Sequence, residues 1–203
     1  MYDDKAADRD ALPGLAPAGY YLALRVGFAF PIEEVNALPK AWVDHYTRGG
    51  LLLDDPVMRW VHGHTGTVRC SELAQSDPVG VLQQAKRFGM VYGLVAAVTD
   101  AKGPERSWGM FMRDDREYDD AEAVRLLALV EALHREKSPP TNLTRAEIEV
   151  LRMVKNGLRI KQIAYEIGVT DGAIKQRLKN ARIKLDAATA TQAATLASDF
   201  GLI

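Results

Sequence analysis

Two rhythms of apolar and polar residues alternate along the N-terminal part of the chain. Residues 20–30 (YYLALRVGFAF) are aromatic and β-branched and predict a strand. Residues 40–49 place Trp42 and Tyr46 four apart, which predicts a helix with both rings on one face. Short helices are expected over 57–62 and 79–88, the second ending near Gly89. GLVAAVT (93–99) and SWGMFMR (107–113) predict a strand pair around a turn at 100–104. Residues 118–136 carry Ala121, Val124, Leu127, Ala128, Val130 and Leu133 at helical spacing, and Asp119, Asp120 and Glu122 suit that helix's start.

The pattern breaks at SPPTN (138–142), where two prolines in a polar run remove backbone donors and disfavour helix before them. Short helices follow. Thr144 and Glu147 in TRAE make a capping-box pattern, with Ile148, Leu151 and Val154 expected inward and Asn156-Gly157 as the stop. A second helix is expected over about 160–166, stopped by Gly168. Thr170 caps a third that runs to about Leu185, and a fourth covers about 190–199. The fold expected is α+β: an N-terminal α/β/α sandwich with an antiparallel sheet (1–137), a linker (138–142) and an all-α four-helix domain (143–203).

Within that last domain, IAYEIGVTDGAIKQRL (163–178) is two short helices joined by a tight glycine turn, the second one basic. That is a helix-turn-helix, whose second helix lies in the DNA major groove. Ile174, Leu178 and Ala181 fall on the core stripe. Asp171, Gly172, Lys175, Gln176 and Lys179 then face outward, with Thr170 at the helix head. Lys175 and Lys179 can reach phosphates or guanine edges, and Gln176 can pair with adenine. Lys161, opening the bracing helix, is placed for a phosphate. Residues 143–203 hold ten Lys and Arg against six acids, a balance of +4; since the whole chain carries −1, the remainder carries −5. A solvated lysine face would share that basic character, but the four-helix layout with its glycine turn favours double-stranded DNA.

Composition narrows the class further. At 47% hydrophobic the chain can bury a core, and its one cysteine, Cys70, allows no internal disulfide, which fits a reducing cytoplasm. The opening MYDDKAADRD is too polar and acidic for a signal peptide, and no apolar run approaches the roughly 20 residues of a membrane span. A soluble cytoplasmic protein is expected. His62-Gly63-His64 with Asp55 and Cys70 offers no second ligand pair at metal spacing, so no metal is expected. Cys70 lacks an orienting third group and suits a small buried apolar residue, so no enzyme is expected. A phosphorylation receiver is excluded: Asp3-Asp4 precede any strand, and no strand–Asp pattern follows.

Residues 143–203 resemble the C-terminal DNA-binding domain of LuxR-type transcription regulators, through LTxxExEVL, Gly157, KxIA at 161–164, AIKxRxxNxxxKL and the terminal GLI. Ala146 and Arg177 stand where that family commonly has Arg and His, departures that bear on operator choice and not on fold. LPKAWVDHYTRGGLLLDDPVMRW resembles the autoinducer-binding domain of quorum-sensing LuxR proteins, the pattern W-x3-Y-x8-DP falling on Trp42, Tyr46, Asp55 and Pro56. FGMVYGLVAAVTDAKGPERSWGMFM is similar to that family's GL…G stretch, so this resemblance spans roughly 20–133.

The resemblance implies a homodimer and an acyl-homoserine lactone or similar small apolar signal molecule. Trp42 would donate its indole N–H to the lactone carbonyl, and Asp55 would accept from the ligand amide. Leu38 stands where the family usually has a tyrosine, and Cys70 (or its neighbour Arg69) where it has a second tryptophan; both positions usually shape the head pocket. Three readings stay open: a ligand-responsive regulator, a ligand-independent one with an altered or filled pocket, and a heterodimerising antagonist of other regulators. As ordinary residues, Trp42 and Tyr46 would be core aromatics and Asp55 a turn or cap.

Overall fold

Alternation along three long strands fixes the N-terminal unit. In the computed structural model, which describes residues 9–27, 30–100 and 105–203, β1 (Gly19–Val26), β2 (Glu33–Asn36), β3 (Gly66–Arg69), β4 (Tyr92–Thr99) and β5 (Arg106–Arg113) form one sheet in the order β2-β1-β5-β4-β3. Every pairing is antiparallel. Successive side chains of a strand point to opposite faces. Leu22, Leu24, Leu94, Ala96, Val98 and Phe111 therefore share one face, buried under α6 (Asp120–Glu136) and joined by Leu12 of α1 (Leu12–Leu15). Ala23, Val95, Ala97 and Trp108 face the other way, against Val57 and Val61 of α3 (Pro56–Gly63) and Cys70 of α4 (Cys70–Leu73). Met112 joins that second side, packed with Trp42 of α2 (Lys40–Arg48), Val81 and Ala85 of α5 (Val81–Lys86), and Met90. Helices thus cover both faces of the sheet, the α/β/α sandwich expected from the pattern.

Several boundaries differ from the sequence expectation. The strand expected to reach residue 30 ends at Val26, because Arg25 has φ 51° and the register with β5 shifts between Ala23 and Val26. The bulge turns a charged side chain inward. The Arg25 guanidinium, 3% exposed, pairs with Asp100, and its backbone N–H donates to Ser107 Oγ at 2.8 Å. Ser107 Oγ shares a hydrogen bond with His134 Nδ1 (2.7 Å), and His134 Nε2 with Asp100 Oδ1 (3.0 Å). This Ser–His–Asp series is a brace: Ser107 is fully buried and its oxygen is engaged by the Arg25 amide.

Helix α5 is shorter than expected because the Asp77 carboxylate takes the Val81 and Leu82 N–H groups and fixes its start. Helix α6 begins at Asp120, with Asp119 as its cap in a capping box with Glu122. Its buried stripe is Ala123, Leu126, Leu129, Val130 and Leu133, while Ala121, Val124 and Ala128 of the expected stripe are exposed. The edge strands β2 and β3 had no signal in the pattern. The N-terminal residues to 8 and most of the expected turn at 100–104 lie outside the described residues.

The chain divides into two units, Met1–Lys137 and Ser138–Ile203. The second holds α7 (Arg145–Lys155), α8 (Ile160–Ile167), α9 (Asp171–Lys184) and α10 (Ala190–Asp199) around one core that includes Leu151, Ile163, Ile174 and Ala193. On α7 the fully buried pair is Val150 and Leu151, with Ile148 and Val154 half-buried. Thr144 accepts from the Glu147 N–H, closing the expected capping box. Gly168 ends α8 with φ +75°, a conformation that costs any other residue about 1–2 kcal/mol.

Candidate functional site

The chain opens a cavity of about 210 Å³ between α2, α3, α5 and the sheet. Local structure sets its polar groups. Pro39 precedes α2 and Trp42 and Tyr46 project from one side of it, their rings 5.4 Å apart. Asp55 caps α3, with Pro56 at the first helical position where no N–H is needed. One Asp55 oxygen accepts from the Val57 N–H and the other from the Tyr46 hydroxyl, both at 2.8 Å. Asp55 is only 7% exposed. Burial pushes its carboxyl above the usual carboxylate range, against the Tyr46 and Val57 hydrogen bonds, which favour the charged form. Burial and the Asp55 charge hold the Tyr46 phenol well above its ordinary value, so it stays a donor.

Leu38, Trp42, Tyr46 and Asp55, four of the five candidate ligand residues, line this cavity together. The fifth does not. Cys70 lines a neighbouring cavity of about 260 Å³, with its sulfur over Gly93, where a Cβ would approach to 2.5 Å. Burial pushes its thiol up to about 12, so it is neutral and no nucleophile. Arg69, the alternative at that position, is engaged with Asp120 and the Tyr118 carbonyl.

Residues that the sequence did not single out complete the wall. Trp108 of β5 enters it beside Tyr21, ring centroids 4.9 Å apart, and supplies a second tryptophan from the sheet. Met58, Met90, Met110 and Met112 also line it, four of the chain's six methionines. Trp108, Met110 and Met112 follow the period of two in SWGMFM, the one signal that could have found them. Among the lining residues Asp55 is the one charged group. Neither tryptophan donates its indole N–H to another described residue. The cavity therefore joins two tryptophans, a buried carboxylate and a mostly apolar wall, with no cation to attract an anion. Among the described residues no group of three or more His, Cys, Asp or Glu could hold a metal ion.

In the second unit, Thr170 accepts from the Ala173 N–H and starts α9. Ile174, Leu178 and Ala181 are buried. Gly172, Lys175, Gln176 and Lys179 are exposed along α9, Asp171 is half-buried at its start, and Lys161 is exposed on α8. Gln176 Nε2 donates to Asn180 Oδ1 at 2.8 Å, one turn on. Lys184 turns the other way: it donates to both oxygens of the buried Glu147 (3.0 and 2.8 Å) and to the Asn142 carbonyl. The exposed face thus carries two lysines and an amide, while the third lysine of α9, Lys184 at its C-terminal end, ties the helix to α7. Among the described residues no helix is long and apolar enough to cross a membrane.

Both units match known families. Residues 25–136 match the autoinducer binding domain, and residues 141–197 match the bacterial regulatory proteins of the luxR family. The transcriptional regulatory protein YdfI of Bacillus subtilis is 38% identical over 63 residues, 31% of this chain and 30% of that protein. The chain thus matches less than a third of that curated relative's length. The fold is shared with a crystal structure of Escherichia coli SdiA (TM-score 0.52, 24% identity, 98% of this chain and 89% of that one). It is shared equally with SdiA in complex with octanoyl-rac-glycerol (TM-score 0.52, 22% identity, 100% and 90% covered). With an autoinducer binding domain over more than half its length and a luxR-family helix-turn-helix domain after it, the chain belongs to the LuxR-type transcription regulators.

Proposed function

We propose that the protein is a ligand-responsive regulator that binds a neutral acyl-homoserine lactone, or a like molecule with an acyl chain and a small polar head, and reads a two-fold DNA site as a homodimer. The observation that carries this is the buried Asp55, the one charged group of a largely apolar cavity that Trp42 also lines. A buried carboxylate is costly unless donors meet it. Tyr46 and Val57 supply two, and a carboxylate accepts more, so a ligand amide N–H is a fitting third. Trp42 would then donate to the ligand's carbonyl, and Leu38, Trp108 and Tyr46 would shape its head. The octanoyl-glycerol bound in the SdiA complex is likewise an acyl chain on a small uncharged head.

In the second unit, α9 would enter the major groove, with Lys175, Gln176 and Lys179 toward base edges and phosphates. Asp171, Gly172 and the Thr170 cap would sit at its head, and Lys161 would hold the backbone. Two such helices in a dimer read half-sites about one helical turn apart. Ligand acts by binding one state of the dimer better than another. Native mass spectrometry of protein expressed with and without a mixture of acyl-homoserine lactones tests the reading. A retained lactone mass supports it and gives the chain length. A folded dimer with no added mass in either preparation overturns it in favour of a ligand-independent regulator.

A further inference from the structure

We infer that Asn180 is a positioning residue for DNA recognition: it holds the Gln176 carboxamide in the orientation that matches an adenine edge. The inference rests on the reading above that α9 enters the major groove.

Side chains three and four residues apart on a helix are neighbours. For Gln176 these are Gly172, Ala173, Lys179 and Asn180. Glycine and alanine bring no polar side-chain atom, and lysine brings only donors. Of the four, Asn180 alone carries an acceptor, and Gln176 Nε2 donates to its Oδ1 at 2.8 Å. The two ends of this bond differ in freedom. Gln176 is exposed, whereas Asn180 is half-buried and precedes the fully buried Ala181. The side chain nearer the core anchors the freer one.

The direction of the bond decides what Gln176 can read. A carboxamide that gives one N–H to Asn180 keeps its other N–H and its carbonyl oxygen, one donor beside one acceptor. Adenine shows the complement in the major groove, the N7 acceptor beside the N6 amino donor. The inverted pair, with Gln176 accepting from Asn180, would leave two donors, the set that meets N7 and O6 of guanine. Asn180 thus selects the purine that Gln176 reads. It also restricts a long exposed side chain before DNA arrives, which removes part of the ordering cost of binding.

The test starts from a binding site selected by the full-length protein out of random-sequence duplex DNA, with a mixture of acyl-homoserine lactones present. Each base pair of a selected half-site is replaced in turn, and affinities are measured by fluorescence anisotropy for the parent, Gln176→Ala, Asn180→Ala, the double variant and Asn180→Asp. Alanine suits a helix better than asparagine, so Asn180→Ala keeps α9. Gln176→Ala should lose an adenine preference at one position. Asn180→Ala should weaken that preference alone, by about two- to tenfold, and should add nothing in the Gln176→Ala background. Asn180→Asp, which can only accept, should keep the adenine preference while its charge lowers affinity for every sequence alike. The inference falls, and the DNA reading stands, if no position depends on Gln176, if that position prefers guanine, if Asn180→Ala leaves the preference unchanged, or if its effect persists without Gln176. If no duplex is selected, both fall.

Discussion

Tyr46→Phe isolates the hydrogen bond that joins α2 to the cap of α3. The change removes one oxygen and keeps the ring against Trp42, 5.4 Å between centroids. It deletes a 2.8 Å donation to a carboxylate that is 7% exposed. A hydrogen bond to a charged group contributes about 1.5–3 kcal/mol net. With a urea slope of about 2 kcal/mol/M, a destabilisation of ~2 kcal/mol lowers the unfolding midpoint by about 1 M.

All three tryptophans (42, 60 and 108) lie in the N-terminal unit, so tryptophan fluorescence follows that unit alone. The effect carries a pH signature. Burial already raises the Asp55 pKa, and the Tyr46 donor opposes that by favouring the charged form. Without the donor the folded pKa rises further. Protonation then relieves the variant more than the parent, so the deficit is full above that raised pKa and shrinks as pH falls through it. A midpoint shift below about 0.2 M, or a deficit that does not change with pH, would refute the reasoning.

Three further outcomes follow from the other side chains. Lys175→Ala or Lys179→Ala should leave the helical melt unchanged and weaken DNA binding, with the slope of log affinity against log salt falling by about 0.9 for each phosphate no longer neutralised; unchanged affinity and slope in fluorescence anisotropy would take that residue off the DNA face. Glu147→Gln should destabilise the C-terminal unit by a few kcal/mol, toward the low end of the ~3–5 for breaking a buried pair because Lys184 is 24% exposed; a circular-dichroism melt within experimental error of the parent would show that the pair contributes nothing. Glu122 is held at about 2, chiefly by the Arg116 hydrogen bond against the opposing effect of burial. Its contribution is therefore present above the ordinary value near ~4.3 and lost as pH falls from there toward 2, so Glu122→Gln should flatten the acid limb of tryptophan-detected stability, and an identical limb would contradict the pairing.

What the sequence disclosed and what it withheld divide along sequence distance. Each signal of the helix-turn-helix is local. Thr144 and Glu147 are three residues apart, Gly157 and Gly168 stop their helices by their own φ, and Thr170 caps within three residues. The outward face of α9 then follows from period alone. The pocket is legible to the same reach: Trp42 and Tyr46 share one helix, and Asp55 is its own helix's cap. The nine residues from Tyr46 to Asp55 are closed by a hydrogen bond, so the spacing W-x3-Y-x8-DP describes a physical contact.

Signals failed where a partner element decides. AEAVRLLALVEAL carries two overlapping apolar stripes, and only the sheet beneath α6 selects Ala123–Leu126–Val130–Leu133 over Ala121–Val124–Ala128. Cys70 falls beside the first cavity because Gly93, on the paired strand, leaves room for its sulfur there. Trp108 reaches the pocket only because β5 pairs with β1 and β4, a register no local window holds. From the same register Trp108, Met110 and Met112 line the first cavity from the sheet, opposite Leu38, Trp42 and Asp55, while Cys70 lines its neighbour.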